Sequence, residues 1–82
     1  MLTGLELIKI LERMGFKNVR QKGSHVFLKH QDNRIAIIPV HKGKDIDRSL
    51  LRKILRDTKI SLDEFTDILK KYLAIKIKIK IY

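Results

Sequence analysis

The segment Gln21-Lys22-Gly23-Ser24-His25-Val26-Phe27-Leu28-Lys29 places one imidazole just after a glycine and between two ammonium groups. An imidazole exchanges protons near neutral pH, and lysines hold the phosphates beside which such a transfer would act. Cleaving RNA without a metal asks for that combination. The ribose 2′-hydroxyl must lose a proton as it attacks the adjacent phosphorus, while cations stabilise the charge growing on the phosphoryl oxygens. His25 is then the candidate proton acceptor or donor, with Lys22 and Lys29 as charge stabilisers. Gly23 lets backbone and substrate approach closely, and Ser24 reads as a turn hydroxyl that can also donate a hydrogen bond.

A second basic segment, Val40-His41-Lys42-Gly43-Lys44, is a natural phosphate-contacting loop, which adds His41, Lys42 and Lys44 to the candidate RNA-binding set. His41 is the other candidate for an acid or base, although shaping the loop or meeting phosphate suits it better. His30 stands five positions from His25, an odd spacing, so on one regular strand the two rings face opposite ways. Three scattered histidines, with no cysteine and no carboxylate cluster beside them, match no familiar metal-ligand spacing. No metal or other cofactor is therefore expected, and cleavage should persist in EDTA.

The whole composition agrees with a polyanionic partner. Among 82 residues there are 19 Lys and Arg against 9 Asp and Glu, a formal charge of +10. Nucleic acid is the first candidate for a surface of that sign and a membrane surface the second. A chain of this length makes a single small domain with a simple core and no deep cavity. Without cysteine, packing alone must hold it, and thiolate chemistry is excluded. The start carries Glu6 and Glu12 inside an apolar pattern, unlike a signal peptide, and no apolar run is long enough for a membrane span. A soluble, cytoplasmic protein is expected.

The elements that must position the site follow from periodicity. Thr3-Gly4-Leu5-Glu6 has capping-box spacing and opens a helix with Leu7, Ile8, Leu11 and Met14 at helical intervals, ended by Gly15 and Phe16. A weakly marked edge strand follows over 17–22. From Ser24 to His30 the period is two, which sets Val26 and Leu28 towards the core and His25, Phe27 and Lys29 on the opposite face. Phe27 is there either a partly exposed platform or a second packing contact. Gln31-Asp32-Asn33 turns the chain into Arg34 to Pro39, whose continuous Ile35-Ala36-Ile37-Ile38 run suggests the middle of the sheet or cover on both sides. Asp45 or Asp47 caps a basic amphipathic helix with Leu50, Leu51, Ile54 and Leu55 on its apolar stripe. Ser61-Leu62-Asp63-Glu64 opens a third helix with Phe65, Ile68, Leu69, Tyr72 and Leu73 at core spacing.

Residues 1–73 thus make one α+β domain, a helix, three antiparallel strands and a helix followed by an extra helix. The remainder, 74–82, alternates Ile75, Ile77, Ile79 and Ile81 with Lys76, Lys78 and Lys80 and reads as a terminal strand with one apolar and one cationic face. Such a face needs cover, for instance from a second copy in a homodimer formed through this tail.

In this order, Leu11 to Gly15-Phe16, Gly23-Ser24-His25, Pro39-Val40-His41 and Leu51-Arg52-Lys53-Ile54-Leu55 make the chain resemble the HicA, or YcfA-like, toxins of HicA-HicB toxin-antitoxin systems, from about Leu5 through Leu69. Arg48-Ser49 stands where that family has a small Gly-Thr pair, and the Ile-Lys tail lies beyond the shared core. The resemblance implies a double-stranded-RNA-binding-domain-like fold acting as an mRNA interferase that is neutralised by a HicB-like antitoxin, with the family's active histidine falling on His25. Two alternatives stand beside it: a non-catalytic module for double-stranded or structured RNA, and a protein-interaction subunit using the isoleucine tail.

Overall fold

The computed structural model describes residues 2–81, with side-chain environments as far as residue 75. The chain runs α1 (Gly4–Arg13), β1 (Phe16–Lys22), β2 (His25–His30), β3 (Ile35–Pro39), α2 (Arg48–Asp57) and α3 (Leu62–Ile81). This is the expected α+β order: helix, three-stranded antiparallel sheet, helix and a further C-terminal helix, a double-stranded-RNA-binding-domain-like arrangement.

Local chemistry fixes the helix ends. The Thr3 hydroxyl accepts from the Glu6 N–H at 3.2 Å while the Glu6 carboxylate accepts from the Thr3 N–H at 3.1 Å, so two donors left open by the first turn of α1 are satisfied reciprocally. Gly15, at φ +98°, supplies the left-handed residue that ends the helix and swings Phe16 into the core. Asp47, not Asp45, caps α2, accepting from the Leu50 N–H at 2.9 Å. Asp45 instead bridges to Thr3, and Ile46 N–H donates to the Leu2 carbonyl at 2.7 Å, tying the loop before α2 to the chain start. Ser61 accepts from Glu64 N–H at the start of α3.

The strands pair in the order β1-β2-β3, with β2 central. One face of the sheet, bearing Phe16, Val26, Leu28, Ala36 and Ile38, packs with Leu7, Ile10 and Leu11 of α1, Ile54 and Leu55 of α2 and Phe65 of α3 into a continuous core. Burial of each large aliphatic or aromatic side chain here contributes roughly 1.5 to 3 kcal/mol. The apolar run in β3 is corrected by this order: β3 lies at an edge, and Ile35 and Ile37 remain 53% and 45% exposed. Only Ala36 and Ile38 face the helices, because two helices cover one side of so small a sheet and nothing described covers the other.

A second correction concerns the terminal strand expected over 74–82, since α3 continues unbroken from Leu62 to Ile81. No Gly, Pro or Asn after Leu62 stops the helix, and each further turn satisfies its own backbone groups, whereas a strand would need a reversal and a ladder partner. Tyr82 lies outside the described residues, as do the side-chain positions of 76–81. Of the apolar positions expected to pack in α3, Phe65 is buried, Ile68, Leu69 and Tyr72 lie against the core, and Leu73 is 43% exposed.

Candidate active site

Gly23 and Ser24 form the two-residue turn between Lys22 and His25, which pair directly across β1 and β2. Gly23 has φ +58° and Ser24 does not share that region, the pattern of a type II′ hairpin turn, whose first central position favours glycine. A Cβ at Gly23 would meet nothing within 4 Å, so the requirement is conformational. Gln21 steadies the turn, its amide donating to the Gly23 carbonyl at 3.1 Å. Such a turn fixes register, and register puts Lys22 beside His25 on the face away from the core.

That face is a grid of three rows. Lys22, His25 and Pro39 make the first, Arg20, Phe27 and Ile37 the second, and Lys17, Lys29 and Ile35 the third. The β1 column is cationic and the β3 column apolar. Lys17 and Arg20 belong to one face despite their odd spacing because β1 takes in an extra residue between Asn18 and Arg20. Sequence reasoning misses Arg20 and the open-face role of Lys17, because a bulge leaves no period to follow. Phe27 is half-buried, with the Arg20 guanidinium 5.2 Å above its ring.

His25 is exposed, and among the described residues its ring makes no hydrogen bond or ion pair. Both nitrogens are accordingly available to a ligand. Lys29 shares its face but stands four residues along β2, roughly 13 Å away. That is too far for Lys29 and His25 to meet the same phosphate.

The expected phosphate loop is joined to the hairpin by one bond, Val40 N–H to the Ser24 carbonyl at 2.7 Å. His41 then begins a turn closed by Lys44 N–H to the His41 carbonyl at 3.0 Å, with Gly43 at φ +77°, as a type II turn requires at its third position. Lys42 sits at its tip. His41 and Lys44 line a depression of about 180 Å³ together with Pro39, Asp45 and Asp47, so the loop starts beside the first row and leads away from it. His41, Lys42 and Lys44 are all exposed.

His30 faces the other way, as the odd spacing requires. It pairs with Phe16, edge to ring at 5.1 Å, and its Nδ1 lies 3.2 Å from the Asp32 N–H. It is a packing histidine. Asp32, in the same corner, has its carboxyl held below the usual range, first by the hydrogen bond from Arg34. Among the described residues no three His, Asp or Glu side chains cluster closely enough to hold a metal ion. No described helix is long and apolar enough to cross a membrane.

A family model for the HicA toxin of bacterial toxin-antitoxin systems matches residues 4–60. The chain belongs to the HicA toxin family. The match takes in α1, the whole sheet, the basic loop and α2, and thus every residue of the grid and the loop, while all of α3 lies beyond it. No curated protein matches the chain. As a HicA-family member the protein has the role of a toxin in a toxin-antitoxin pair, and the open face described above is the part of that fold which offers proton-transfer chemistry among cations.

Proposed function

We propose that this toxin is a metal-independent endoribonuclease acting on mRNA, with His25 as the catalytic residue. The observation that carries it is the first row of the open face, an unpartnered imidazole set directly across from the Lys22 ammonium on a strongly basic domain. His25 takes the proton of the ribose 2′-hydroxyl as that oxygen bonds to the adjacent phosphorus. Lys22 stabilises the charge on the non-bridging oxygens. The bond to the 5′-oxygen breaks, that oxygen takes a proton from water, and the hydroxide so formed recovers the proton from the imidazolium. The products are a 2′,3′-cyclic phosphate and a 5′-hydroxyl. Gly23 and Ser24 present backbone to the substrate, while Lys29, His41, Lys42 and Lys44 hold more distant phosphates.

Its partner in the toxin-antitoxin pair is a HicB-like antitoxin, acidic where it meets the open face and covering His25. Both act in the cytoplasm, where mRNA is translated. The test is to incubate the protein and its His25→Ala variant with an mRNA in EDTA and to identify the new ends. Cleavage by the wild type alone, with cyclic-phosphate ends, is expected. Loss of cleavage on chelation with recovery on adding a divalent ion would overturn metal independence. Bound but intact RNA in both samples would leave a binding module.

A further inference from the structure

Resting on the RNA-cleaving role proposed above, we infer that the open sheet face is a single-strand platform on which Phe27 stacks the base of the nucleotide next to the cleaved bond. The rows of the grid stand two strand residues apart, roughly 6.5 to 7 Å, with the cations of β1 in a single column beside the aromatic and aliphatic surface of β2 and β3. A column of Lys17, Arg20 and Lys22 can follow successive phosphates of one strand, and the apolar surface beside it suits a strand whose bases are unpaired. Bases of such a strand expose their π-faces, which a duplex hides.

The second row supplies what those bases need. Phe27 lies one row from His25, flanked by Arg20 on the cationic side and exposed Ile37 on the apolar side. A strand with its phosphates over β1 therefore lays its bases over β2 and β3, where the surface turns aromatic and aliphatic. The Arg20 guanidinium lies over the ring, 5.2 Å from its centroid. An exposed cation–π contact is weaker than base–aromatic stacking, so the base displaces the guanidinium, which then pairs with the neighbouring phosphate. The bulge in β1 matters here because it brings Arg20 to this row and Lys17 to the next.

Binding to a fluorescein-labelled, mixed-sequence 2′-O-methyl RNA, which cannot be cleaved, is measured as a single strand and as the duplex with its complement. The single strand should bind more tightly. Phe27→Leu should weaken single-strand binding about tenfold while leaving its salt dependence unchanged, and Phe27→Tyr should restore it. Arg20→Ala should instead lower the slope of log affinity against log salt by about 0.7, the loss of one phosphate contact on a single strand. Thermal melting confirms that each variant is folded. Equal or tighter duplex binding, or unchanged affinity in folded Phe27→Leu, overturns the platform. A wild type that binds in this Phe27-dependent way yet cleaves no RNA overturns the nuclease role and leaves the platform standing. A wild type that cleaves while Phe27→Leu binds normally does the reverse.

Discussion

Lys22 stands directly across from His25 in the β1–β2 ladder, whereas Lys29 shares the His25 face from two rows away. Directly opposed side chains have Cβ atoms about 4.5 to 5.5 Å apart, while four residues along a strand span roughly 13 Å. If His25 is the catalytic residue proposed above, the two lysines flanking it in the sequence should have different tasks. Lys22→Ala should lower kcat by about tenfold to a hundredfold, less than loss of a buried oxyanion donor because this face is open to water. Lys29→Ala should raise KM and leave kcat nearly unchanged. Single-turnover and steady-state cleavage of one RNA by both variants separates the two effects, and matched losses in kcat would contradict this division.

Gly4 couples the core to the site. A Cβ there would lie 2.4 Å from the Pro39 carbonyl oxygen and 3.3 Å from the Val40 Cα, both backbone atoms with little freedom to yield. Pro39 pairs with His25, and Val40 holds the Ser24 carbonyl. Gly4→Ala should cost about 1 to 3 kcal/mol in urea unfolding, as overpacking does. It should also reduce cleavage per folded molecule, because the backbone it displaces positions the hairpin end. A destabilised variant with wild-type kcat would show that α1 and the site are not coupled in this way.

Arg34 ties the β2–β3 turn to the end of α2. Its Nη1 donates to the Thr58 carbonyl at 2.7 Å, its Nε to the Asp32 carboxylate at 2.9 Å, and its guanidinium lies 5.3 Å from the Phe16 ring centroid. Arg34→Ala should destabilise the fold by about 1.5 to 3 kcal/mol, the range for a charged hydrogen-bonding group, without touching the open face. The carboxyl of Asp32 is depressed in the folded state, so its contribution is present above the ordinary value of 3.8 and is lost as pH falls through the lower folded value. The stability gap between wild type and Asp32→Asn should be constant near neutrality and shrink below that ordinary value. A gap that widened on acidification would reverse the assignment.

Much of this frame is legible in the sequence alone, and what is not legible there has physical causes. Thr3 and Glu6, Gly15, and the Gly23-Ser24 turn act through neighbours a few residues away, so their spacing carries the information. The side of β2 that bears His25 follows from alternation with Val26 and Leu28. The exposed side of β3 does not follow, because Ile35 to Ile38 reads alike whether an apolar residue meets the core or open water; only strand order distinguishes them. The bulge at Val19 breaks the period that would group Lys17 and Arg20 with Lys22. The alternation over 74–82 is real, but as far as Ile81 helix continuation from α3 satisfies the backbone locally and overrides it.

Lys59 is a residue whose strain no pattern announces. It follows the α2 C-cap Thr58 at φ +56°, while Lys59 N–H donates to the Arg56 carbonyl at 3.2 Å and Ile60 N–H to the Leu55 carbonyl at 2.9 Å. These two bonds are a Schellman ending, and its left-handed position is normally glycine. A side chain in that region is disfavoured, but the ending places Ile60, only 5% exposed, in the core. Lys59→Gly should therefore stabilise the protein by about 0.5 to 1 kcal/mol, the relief of strain exceeding the added freedom of the unfolded chain. The urea midpoint should rise with an unchanged denaturant slope and unchanged cleavage. A fall in midpoint would mean that the lysine makes a contribution at this corner that outweighs its backbone strain.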